Sequence, residues 1–204
     1  MLISNIHHQI NPAGLAGGFG NKISEVNAYF LSDEYLDKVI SEQKWSENGS
    51  DLDEADVLFE SLGLDYQPSI GQPETLKTAL RGWLPIRINY ILSEIELELA
   101  NSRTIYRALS FTAADYGVFA HTIKDAKRVS DLGVQWSTCE ACEPWGCNIL
   151  NTDVTVCLSM EVDLESINII ETLRSRIDYK LGDDEQEINL FPTTPLNLVR
   201  VSLA

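Results

Sequence analysis

The chain has 204 residues, 44% hydrophobic and 8% aromatic, enough to bury a proper core and too apolar for a disordered protein. Its formal net charge of -16 argues against nucleic acid as a partner, because phosphate-backbone binding relies on Lys and Arg. A small anion held by one or two well-placed arginines stays compatible with it. There is no apolar window of bilayer length, and the first twenty residues lack the basic start and long apolar stretch of a secretory signal. The expectation is a protein without a membrane partner, resident in a cytoplasm or delivered into one.

Residues 1–22 are rich in Gly and Asn. Gly14, Gly17, Gly18 and Gly20 do not fit either phosphate-loop spacing, so they read as a flexible leader or turn. His7 and His8 lack partner ligands at metal spacing. A helix is predicted over 24–45, with Ser24 as N-cap and a second turn beginning near Ser32-Asp33. After a polar break, 51–62 form a short acidic amphipathic segment, and its Asp53-Glu54-Ala55-Asp56 reads as a solvated face. Residues 63–73 read as loop.

The longest helical signal covers 74–100. Leu84, Ile88, Ile91, Leu92, Ile95 and Leu99 form one apolar stripe, and Pro85 predicts a kink or the first turn of a second helix. No chemistry stands out in this half, which reads as a packing or recognition region over 1–100.

From residue 101 the pattern changes. Strands are predicted at 104–109, 134–138, 154–162 and 167–170, though a helix through Thr172 fits the fourth almost as well. A helix capped by Thr112 is expected over 112–129, and Ala141 to Trp145 fit one helical turn. A charged loop from Arg174 to Asp184 leads into a fifth strand over 183–191. Pro192 and Pro195 then turn the chain into a last strand over 196–203. Helices first and strands after give an α+β fold, with a β-rich region over 101–204.

Cys139, Cys142 and Cys147, with Cys157 beyond, suggest neither a disulfide framework nor a full zinc set, since the fourth cysteine sits in an apolar strand. A cysteine nucleophile with His121 as base lacks a third, orienting group. The stronger chemistry lies in the β-rich half. An arginine in the first strand can grip a phosphate bidentately. Ser137-Thr138 can orient a sugar. Glu185 and Glu187, two apart, share a strand face, where a carboxylate stabilises the positive charge of a breaking glycosidic bond.

In order, Tyr106-Arg107-Ala108-Leu109, Gln135-Trp136-Ser137-Thr138 and Glu185-Gln186-Glu187 resemble the three signatures of the arginine–serine–glutamate, cholera-toxin-like class of ADP-ribosyltransferases. The resemblance covers about residues 104–204. It implies a small two-sheet core with NAD, the co-substrate, in a cleft between the sheets, and transfer of ADP-ribose to a protein with release of nicotinamide. Arg107 would bind the NAD phosphates and brace the cleft. Ala108, where the family usually has glycine, and Trp136 and Thr138 would adjoin the nucleotide. Ser137 would hydrogen-bond the catalytic glutamate, Glu187, and Glu185 would engage the acceptor, most often an arginine. Tyr179 would help recognise the target protein.

The implied role is that of a bacterial or phage effector or toxin, with the acidic surface suited to a basic target. Two other functions fit the same residues: an acidic binding or inhibitor protein without catalysis, and an NAD glycohydrolase with water as acceptor.

Overall fold

A computed structural model of the protein describes residues 18–43, 73–140, 153–178 and 186–203. They belong to two compact units divided between Leu92 and Ser93. The first holds 23–43 and 73–92, and the second holds 18–22 and the described residues from Ser93 onward.

In the first unit the region expected as one helix is two, α1 (Ile23–Phe30) and α2 (Asp33–Gln43). Ser24 lies inside α1. The capping serine is Ser32, whose Oγ accepts from the Tyr35 N–H at 3.1 Å. The turn brings Phe30 edge-on to Tyr35, with ring centroids 4.9 Å apart. Lys77 donates to Asp37 at 3.0 Å, and that bond, with the charges of Asp37, Asp33 and Glu74, raises its pKa above the usual lysine value.

The stripe predicted on the long helix is buried throughout, on α3 (Pro73–Asn101). Pro85 begins no second helix. It sits inside a single one, although it has no N–H to offer the Arg81 carbonyl one turn back. The division between the units falls within α3.

The second unit is built on five strands: β1 (Thr104–Phe111), β2 (Gln135–Ser137), β3 (Val154–Glu161), β4 (Glu187–Asn189) and β5 (Leu198–Leu203). They form one antiparallel sheet in the order β4-β2-β1-β3-β5. The resemblance implies two small sheets. The described residues form one, because β1 pairs with β2 on one side and β3 on the other and so joins both groups of strands.

Two helices differ from their predicted extents. The helix after β1 is α4 (Ala113–Thr122), and Thr112 caps it, its hydroxyl accepting from the Asp115 N–H at 3.2 Å. It ends well before residue 129, and none of its side chains is buried, so little packing is available to extend it. The second is α5 (Ile169–Asp178), where a strand at 167–170 and a loop from Arg174 are expected. Ile167 contributes only an isolated bridge to Leu190. Asn168 then starts the helix, its Oδ1 accepting from the Glu171 N–H at 3.3 Å.

Residues 18–22 are packed in this unit. Gly20 donates its N–H to the Ile167 carbonyl at 3.3 Å, and a Cβ there would lie 2.3 Å from the Phe191 ring. Between α4 and β2, Asp131 accepts from the Lys127 and Arg128 N–H groups, which lowers its carboxyl below the usual aspartate value. No helix among the described residues is long and apolar enough to cross a membrane.

Candidate active site

The sheet has one apolar and one polar face, set by alternation along β1 and β3. Ile105, Arg107 and Leu109 pair with Met160, Leu158 and Val156. Trp136 and Ile188 pair with each other, and both are buried. On the other face Tyr106, Ala108 and Ser110 pair with Ser159, Cys157 and Thr155.

Directly opposed residues share a face. Ser137 is opposite both Glu187 and Tyr106, Tyr106 is opposite Ser159, and Ser159 is opposite Arg200. Glu187, Ser137, Tyr106, Ser159 and Arg200 therefore form one polar row across all five strands.

At one end of this row α5 lies against β4. Glu187 is 8% exposed, and its Oε1 accepts from Ser175 Oγ at 2.7 Å and from Asn189 Nδ2 at 2.7 Å. Asn189 is itself held firmly: its Nδ2 also donates to Ser175 Oγ at 2.9 Å, and its backbone N–H donates to Thr172 Oγ1 at 2.9 Å. Both donors to the carboxylate are neutral and both fall on Oε1. Its Oε2 has no hydrogen-bond partner among the described residues. Although the residue is mostly buried, this second oxygen is not itself a buried orphan and is open to water or a ligand.

The residue before Glu187 is strained. Gln186 has φ 49°, a left-handed conformation that costs a non-glycine residue about 1–2 kcal/mol. Its carbonyl accepts from the Thr138 N–H at 3.1 Å, which closes the end of the β2–β4 ladder. Such strain is found where a structure over-determines a functional side chain.

Thr138 also donates to Glu98 Oε2 at 2.7 Å. Glu98, on the C-terminal part of α3, receives both terminal nitrogens of Arg176 at 3.1 and 2.8 Å. Arg176 Nε donates to the Glu187 carbonyl at 3.0 Å. One guanidinium thus fixes β4 to α5 and α3. Ser137 Oγ accepts from the Cys139 N–H at 2.9 Å.

The structure separates the predicted residues into three groups. Ser137 and Glu187 are directly opposed in the β2–β4 ladder, but the expected hydrogen bond between them is not made: the donors to the Glu187 carboxylate are Ser175 and Asn189. Arg107 is on the opposite face of β1 from Tyr106, and its guanidinium donates to the Gln135 carbonyl and rests on Gly133. Trp136 is in the apolar core, 2% exposed, with its indole N–H on the Gly133 carbonyl at 3.0 Å. Ala108 is on the polar face, buried opposite Cys157. Glu185 and Tyr179 lie outside the described residues, as do Cys142, Cys147, His7, His8, Asp53 to Asp56 and the turn at 141–145. No metal-binding cluster occurs among the described residues.

No family model, curated protein or solved structure matches this chain.

Ser175, Asn189 and Arg176 carry much of the site, and sequence reasoning passes over all three. Thr172, Ser175 and Arg176 have helical spacing, so reading 169–178 as a helix would have aligned them on one side. Glu187 and Asn189 share a face by the period of two.

Gly133 has φ 104°, a region that favours glycine, and a Cβ there would lie 2.5 Å from Arg107 Nη2. Gly133→Ala is expected to cost about 1–3 kcal/mol through strain and to push the guanidinium off the Gln135 carbonyl. Urea denaturation of the variant measures it. An unchanged midpoint would show that Arg107 does not depend on this contact.

Proposed function

We propose that this chain is an NAD-consuming mono-ADP-ribosyltransferase. ADP-ribose passes from NAD to a protein side chain, arginine by the resemblance. The supporting observation is the placement of the three motif segments. They are far apart in sequence, yet β1, β2 and β4 are consecutive in the sheet, with Ser137 directly opposite Glu187.

In this reading the bond between the ribose anomeric carbon and the nicotinamide nitrogen breaks, and nicotinamide leaves with the bonding pair. The sugar carbon becomes oxocarbenium-like. Glu187, oriented through Oε1 by Ser175 and Asn189, offers Oε2 to the ribose and stabilises the developing charge. The acceptor nitrogen attacks the sugar carbon and gives up a proton. Glu185 would engage that acceptor, and Tyr179 the target protein. Arg107 acts as a brace of the β1–β2 seam, with its fork already on a backbone carbonyl.

A second reading is a non-catalytic acidic binding protein. Two observations favour it: Arg107 faces away from Ser137 and Glu187, and Glu187 is buried under α5. Incubation with labelled NAD and a cell lysate separates the readings. Labelled protein supports the transferase, and nicotinamide release without labelling points to a glycohydrolase. The absence of both leaves the binding protein.

A further inference from the structure

The far end of the polar row carries a second candidate site, separate from Glu187. A groove of about 260 Å³ is lined by polar residues that include Tyr106, Arg107, Ser159, Arg200 and Ser202, with Cys157, two leucines and the exposed Glu140. Arg200 stands four strand steps from Glu187, about 19 Å at the usual strand spacing. The volume is just below the roughly 300–1,000 Å³ of drug-sized ligand sites, so it suits a small molecule.

The lining is rich in donors. Ser159 is 6% exposed, yet its hydroxyl has no hydrogen-bond partner among the described residues. The Tyr106 and Ser202 hydroxyls and the Cys157 thiol are likewise without partners there. With no protein partner, the Ser159 hydroxyl is open to water or to a ligand that enters the groove. Two cations line the groove: Arg107 is engaged with the Gln135 carbonyl, whereas Arg200 is held only loosely by its carboxylate partner Glu140, at 3.4 Å with both side chains more than half exposed. Such a pair contributes little to stability and exchanges readily for a better anion.

We propose that this groove binds a small phosphate-bearing ligand. Arg200 takes the phosphate, the hydroxyls of Ser159, Ser202 and Tyr106 complete its oxygens, and Glu140 competes for the same guanidinium. The inference does not depend on the transferase reading, since it involves neither Glu187 nor NAD turnover.

The test is titration of the full chain with inorganic phosphate, followed by the amide resonances of β3 and β5. Saturable shifts confined to the Cys157–Ser159 and Arg200–Ser202 segments are expected. Arg200→Ala should weaken binding at least about tenfold, and Ser159→Ala should weaken it to a smaller extent. Glu140→Gln should tighten it about threefold or more, a gain that misfolding cannot imitate. Lys124→Ala, on the exposed surface, should leave it unchanged. Shifts scattered over the surface without saturation, or an Arg200→Ala titration like that of the parent, would overturn the proposal. So would a Glu140→Gln variant that binds no more tightly.

Discussion

Replacing Arg176 with Met is expected to destabilise the sheet-bearing unit by about 3–5 kcal/mol, the usual cost of removing one partner from a buried ion pair. The Arg176 side chain is 1% exposed and that of Glu98 14%. The substitution leaves Glu98 largely buried, with Thr138 still donating to it, and removes the donor to the Glu187 carbonyl. Most of the loss comes from the stranded carboxylate, so adding Glu98→Gln to Arg176→Met should recover a substantial part of it. Arg174→Met is the control. Its pair with Glu171 is partly exposed and spans one helical turn, and its loss should change stability by less than about 1 kcal/mol. Urea unfolding followed by fluorescence and far-UV circular dichroism measures all four proteins. Equal midpoints for Arg176→Met and Arg174→Met would show that the buried pair has no special weight.

How far the sequence discloses this arrangement depends on which physical signal each element carries. The buried stripe of α3 and the β-branched run of β3 are legible because hydrophobic periodicity is what packs them. Residues 167–178 are not. Their apolar run is too short to separate strand from helix, and the helix packs against β4 with polar side chains. Thr172, Ser175 and Arg176 meet Glu187 and Asn189, a match of hydrogen bonds that leaves no trace in hydrophobicity. Arg107 shows a different limit. A motif places it on β1, but only strand register decides its face, and one residue of offset reverses every side chain. Ser137 and Glu187 are neighbours because β2 and β4 pair in register, but which side chains donate to the carboxylate depends on α5, which the motifs do not reveal.

The transferase reading predicts that Glu187→Gln loses at least about a hundredfold in NAD turnover while the protein stays folded. The amide is nearly isosteric with the carboxylate. Its oxygen can keep the bonds from Ser175 and Asn189, and its NH2 replaces Oε2, the oxygen proposed to face the ribose. The negative charge that would stabilise the sugar cation is gone. Glu187→Ala should behave differently in stability. It leaves the buried Ser175 hydroxyl without its acceptor, at about 1–3 kcal/mol, whereas Asn189 Nδ2 keeps Ser175 Oγ and the Glu171 carbonyl. Ser175→Ala separates positioning from charge. It removes one donor from Oε1 and keeps the carboxylate, so kcat should fall less than in Glu187→Gln, with KM for NAD nearly unchanged. Steady-state kinetics of nicotinamide release, with urea midpoints on the same preparations, distinguish the cases. Turnover that survives Glu187→Gln would remove Glu187 from the chemistry and leave it as a structural acceptor beneath α5.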